Sequence, residues 1–108
     1  MAKNKIEKIQ KACTLKDVLD VIGGKWSMPI IYNLSKGKMR FKEIERTIEG
    51  INTRMLVKEL KNLEANGIIT RTVFATVPPT VEYALTKKGD KLLPSIKSLH
   101  QWGKEYAV

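Results

Sequence analysis

The chain is short of several things, and each shortage closes off a class of function. It holds one cysteine, Cys13, in 108 residues, so no disulfide can form within the chain, and a reducing cytoplasm is the expected setting. Its one histidine, His100, has no partner motif for metal or catalysis. It therefore reads as structural, and no metal or cofactor is implied. Aromatic residues make up 6% of the chain. Trp26, Phe41, Phe74, Tyr83, Trp102 and Tyr106 are scattered, whereas stacking on bases needs a surface cluster, so most of them are expected in the core. No apolar run approaches the length that crosses a membrane. The N-terminus, MAKNKIEKIQKA, lacks the apolar stretch and small-residue site of a secretory signal. Gly23–Gly24 lacks the spacing and the preceding strand of a phosphate-binding loop.

Acidic residues are also scarce. Eleven stand against twenty basic ones, a formal charge of +9. Nine of the twenty cations fall within residues 36–71. A net cation binds polyanions by releasing their counterions, whatever its fold. Charge alone leaves a nonspecific nucleic-acid-binding protein open as an alternative.

Length and composition fit one globular domain over residues 1–108, with residues 1–12 a disordered arm. Thr14 can cap a helix over 15–22 whose stripe is Leu15, Val18, Leu19 and Ile22. Gly23–Gly24 ends it. A second helix runs over 26–35, with Pro29 in its first turn. A short extended piece at Met39–Arg40 leads into a third helix over 41–48.

The fourth helix carries the functional signal. Asn52 is a natural cap and Gly67 a natural stop. Leu56, Leu60 and Leu63 share one face, which is core. Arg54, Lys58 and Lys61 share another, nearly opposite at 100° per residue, with Thr53 and Val57 beside it. The period then changes. Residues 69–77 and 81–85 read as two strands of an antiparallel hairpin, with Pro78–Pro79 in the loop. Thr86 can cap a last helix over 87–106, which Pro94 should bend. Leu92, Ile96, Leu99 and Tyr106 share its inner face, flanked by Leu93 and Trp102.

Two short helices joined by a tight turn form a helix-turn-helix, and a hairpin directly after them forms a wing. The fold expected is mostly α with a small β-hairpin. The second helix of such a pair enters the major groove of double-stranded DNA while the first crosses the backbone. Asn52, Thr53 and Arg54 lie at the helix start, where penetration is deepest. Arg54 is the candidate for a base contact, since its fork matches guanine. Lys58 and Lys61 read as phosphate contacts. Arg40 and Lys42, with Lys36 and Lys38, are expected to meet backbone. A winged-helix module used only for protein contacts is the other alternative.

Cys13, LDVIGGKWSMPIIYNLSKG (19–37), RFKEIERTIEGI (40–51), LVKELKNLEANGII (56–69), VPPTVEYALTKKGDKLLP (77–94) and Trp102–Gly103 together resemble the HxlR-type transcriptional regulators of bacteria, winged-helix relatives of the MarR group. The resemblance implies a homodimer joined through the first and last helices, by Leu15, Val18, Leu19, Ile96, Leu99, Trp102 and Tyr106. It implies a palindromic operator, a cytoplasmic location and no enzymatic activity. It also implies a possible sensor role for Cys13, with a small electrophile or oxidant as signal. With one thiol per chain, a disulfide would join two subunits or take up a small thiol; alkylation is the other route. One departure stands out. Family members often carry a cation after the double proline, but here the tip TVPPT is uncharged. Arg71, at the hairpin base, is the nearest cation left for that work.

Overall fold

The structure, a computed structural model, describes residues 12–107. Most of the expected arm thus lies outside the described residues. Helix α1 spans Leu15–Ile22. Thr14 caps it reciprocally: its hydroxyl accepts from the Asp17 amide, and its own amide donates to the Asp17 carboxylate. Helix α2 spans Ser27–Leu34. Strand β1 is the two-residue Met39–Arg40, followed by α3, Phe41–Thr47.

Helix α4 spans Thr53–Ala65, between Asn52 and Asn66 as caps. The Asn52 side chain accepts from the Met55 amide at 2.9 Å. Gly67, at φ +73°, takes the left-handed turn that stops it. Strands β2 (Ile69–Phe74) and β3 (Thr80–Leu85) form the wing, with Arg71 opposite Tyr83 and Phe74 opposite Thr80.

Three expectations are corrected here. The sheet is not a lone hairpin. β1 pairs antiparallel with β3, giving three strands in the order β1-β3-β2. The first wing strand stops at Phe74, before Val77. The last helix is not continuous. It divides into α5 (Lys87–Asp90), α6 (Leu93–Trp102) and a π-helical turn over Gly103–Ala107. Pro94 falls in the first turn of α6, where its missing amide costs no hydrogen bond.

One core holds these elements together. Ile30, Ile31, Ile44, Leu56, Leu60, Leu63, Ile68 and Ile69 are essentially sealed, with Tyr83 and Ile96 close behind. The hydrophobic stripe of α4 thus joins the common buried cluster, which leaves its other face outward. Of the six aromatics named above, Tyr83 is buried and Trp26 and Phe41 are half-buried. Phe74, Trp102 and Tyr106 are exposed, so fewer sit in the core than composition suggested.

Candidate nucleic-acid interface

The outward face of α4 carries Asn52, Thr53, Arg54, Val57, Lys58 and Lys61, all exposed. The three cations have no ion-pair partner among the described residues. Two of the polar groups are already engaged. The Asn52 oxygen is committed to the helix cap. The Thr53 hydroxyl donates to Glu45 of α3 at 2.5 Å. That bond locks the start of α4 to the helix before it. Glu45 went unnoticed in the sequence, because nothing local links positions eight apart across a turn.

The flanking cations divide into groups. Arg40 and Lys42 border a cleft between α3 and the wing, together with Arg46. Lys38, largely exposed, lies 3.7 Å from Glu82 of β3, whose side chain is half-buried. Lys36 sits 5.6 Å from the Tyr32 ring centroid. Both therefore have partners within the fold. Arg71 lies beside Lys61, Glu64 and Tyr83 in a hollow against α4, away from the wing tip. The tip itself is uncharged, and the Thr76 hydroxyl donates to the Pro78 carbonyl at 2.7 Å.

A second surface is apolar. On α1, Leu15 is 82% exposed and Leu19 58%, with Val18 at the margin. On α6 and the turn after it, Leu99, Trp102 and Tyr106 are exposed, and the last two rings stand 5.8 Å apart. Ile96 does not belong with them. It is 5% exposed and part of the protomer's own core, so its place in the expected interface is withdrawn. Single exposed apolar residues are ordinary, but α1 and the end of α6 each expose more than one.

Cys13 is exposed, just before the cap of α1. It borders an apolar hollow of 240 Å³ with Val18, Val21 and Leu92, and Lys88 and Asp17 are the charged groups there. His100 is exposed on α6 and meets the Tyr32 ring edge-on at 5.9 Å. No group of His, Cys, Asp and Glu among the described residues could hold a metal.

A family model described as HxlR-like helix-turn-helix matches residues 21–108. The chain belongs to this family. An uncharacterised HTH-type transcriptional regulator of Methanothermobacter thermautotrophicus is 45% identical over 94 residues, covering 87% of this chain and 72% of the relative. Another, of Halalkalibacterium halodurans, is 44% identical over 102 residues, covering 94% of this chain and 89% of the relative. Among solved structures, the redox regulator HypR in its oxidized form superposes with a TM-score of 0.81 at 44% identity, covering 86% of this chain and 96% of HypR. The reduced form of the transcriptional regulator YodB from Bacillus subtilis gives 0.76 at 34% identity, with 90% and 95% covered. The HxlR-like chain is a helix-turn-helix transcriptional regulator of MarR-like winged-helix fold, and not an enzyme. No described helix is long and apolar enough to cross a membrane.

Within the HxlR-like fold, one buried polar group helps to position α4. The Ser27 side chain, fully buried, donates to Glu59 on α4. Asn62 bridges Glu59 to the Val21 carbonyl at the end of α1. A Cβ on Gly24 would stand 2.9 Å from a Glu59 oxygen and 3.0 Å from the Ser27 hydroxyl, so a larger residue there would press on this hydrogen bond. The signal was hidden in IGGKWS, where the double glycine read only as a helix stop.

Proposed function

We propose that this regulator binds double-stranded DNA as a homodimer on a palindromic operator, and that Cys13 senses oxidants or electrophiles. The observation that carries the DNA reading is the two-sided α4. Leu56, Leu60 and Leu63 are sealed on one face, while Arg54, Lys58 and Lys61 stand exposed on the other, with no ion-pair partner among the described residues. A helix so placed fits the major groove. Arg54 reads a base, with Asn52, Thr53 and Val57 against neighbouring edges. Lys58 and Lys61 hold phosphates, and Arg40 and Lys42 grip the backbone from the preceding helix. Lys36, Lys38 and Arg71 add charge at the margins.

The apolar cluster of α1 and α6 supports dimerisation, since Leu15, Leu19, Leu99, Trp102 and Tyr106 otherwise face water. A two-fold pair would set the two α4 helices about 34 Å apart, one helical turn of DNA. Cys13 adjoins α1, so its modification would be felt where the subunits meet. Likeness to the redox regulator HypR supports the thiol reading.

Selection of bound fragments from genomic DNA, with and without diamide, tests the proposal. A shared inverted-repeat sequence, lost or altered on oxidation, is expected. Fragments without common sequence overturn the operator reading and favour nonspecific binding.

A further inference from the structure

Between α3 and the wing lies a cleft of 620 Å³, bordered by Arg40, Lys42 and Arg46 on one side and by Pro78, Pro79 and Thr80 on the other. We infer that this cleft seats a DNA backbone phosphate, held by Arg46 with Lys42, while the wing supplies shape and no charge. This deepens the DNA reading above and rests on it.

Four observations support the assignment. Lys42 and Arg46 are four residues apart on one face of α3, where like charges repel unless an anion lies between them. Ile44, between them in sequence, is sealed in the core, so both cations point outward. None of the three cations has an ion-pair partner among the described residues. The one carboxylate on the cleft, Glu43, is committed to its own helix, accepting from the Arg40 amide at 2.7 Å.

The facing wall offers an anion little beyond the Thr80 hydroxyl. Pro78 and Pro79 have no amide hydrogen. The Thr76 hydroxyl behind them is spent on the Pro78 carbonyl. Charge must therefore come from α3, and a guanidinium fork matches two phosphate oxygens better than an ammonium does. The Thr53–Glu45 bond ties α3 to the start of α4. A phosphate in the cleft would thus stand in fixed register with whatever base Arg54 touches. A polyanionic duplex, which the charged face of α4 already addresses, is the source that fits.

The test measures duplex binding by anisotropy over a salt series, on a selected fragment and on random duplex, for wild type, Arg46→Ala, Arg46→Lys and Thr80→Lys. Arg46→Ala should weaken both duplexes by the same factor, about tenfold, and lower the log–log salt slope by about one. Arg46→Lys should keep the slope. Thr80→Lys, which adds a cation to the bare wall, should raise it by about one. Wild-type binding with both slopes unchanged, in Arg46→Ala and in Thr80→Lys, overturns the inference alone. If Arg46→Ala fails to fold, Thr80→Lys decides by itself. Wild type that binds no duplex overturns the DNA reading, and this inference with it.

Discussion

The Ser27 hydroxyl donates a 2.8 Å hydrogen bond to Glu59, joining the first turn of α2 to the middle of α4. Ser27 is wholly buried, and Asn62 donates to the same Glu59 oxygen at 3.3 Å. Hydrogen bonds to a charged acceptor contribute about 1.5–3 kcal/mol each. Ser27→Ala removes one of the two donors and leaves the carboxylate short of a partner. Urea unfolding should show a loss of about 1–3 kcal/mol. A loss under about 0.5 kcal/mol, the level of an ordinary surface change, would mean that this contact does not fix α4.

The two faces of α4 should separate in mutagenesis. Leu60→Ala empties part of a sealed core and should cost about 2–5 kcal/mol of stability. Lys58→Ala, on the exposed face, should leave unfolding within about 0.5 kcal/mol of wild type. It should instead weaken binding evenly across DNA sequences and lower the salt slope by about one. Arg54→Ala should act differently again, costing about 1–3 kcal/mol at one base position. Paired titrations on a selected operator and its single-base variants check this. Equal losses from Arg54→Ala at every variant would assign Arg54 to phosphate instead.

Local chemistry made much of this legible in the sequence, and distance hid the rest. Thr14 and Asn52 mark the starts of α1 and α4 through side-chain acceptors that lie within three residues of their donors. Gly67 marks a stop through its own backbone angle. These signals need no partner elsewhere. The Met39–Arg40 strand needs β3, some forty residues on, and two residues are too few to show a period of two. Ser27 and Glu59 stand 32 residues apart, so neither betrays the other. Ile96 and Leu99 show a different limit. Helical spacing puts both on one apolar stripe, but it cannot say that Ile96 turns into the protomer while Leu99 turns out. Pro94 announced a disturbance, and only the packing showed that it begins a new helix.

That outward stripe gives a prediction about assembly. Leu19 and Leu99 are each more than half exposed, on the two helices that the family resemblance assigns to a dimer contact. A glutamate at either position would carry an unpaired charge into any apolar interface they form. Sedimentation at micromolar concentration should show a wild-type dimer, and Leu99→Glu should shift it to monomer without loss of helical signal. A wild-type monomer at the concentrations where DNA is bound would remove the two-fold operator geometry.

Cys13 is exposed before the cap of α1, beside Val18 of the same apolar stripe. Diamide takes two electrons and two protons from a pair of thiols, forming a disulfide and the corresponding hydrazine. Because each chain has one cysteine, the second thiol comes from the partner subunit or from a small thiol such as glutathione. A direct bridge requires the two Cα atoms to come within about 7 Å. A cross-linked dimer on a non-reducing gel therefore reports that distance, and a mass increase of one glutathione reports its failure. Either product places a new covalent load at the start of α1 and should change operator affinity. Cys13→Ser should bind the operator like the reduced wild type and stay indifferent to diamide. If oxidised wild type and Cys13→Ser keep the same affinity, the thiol carries no signal.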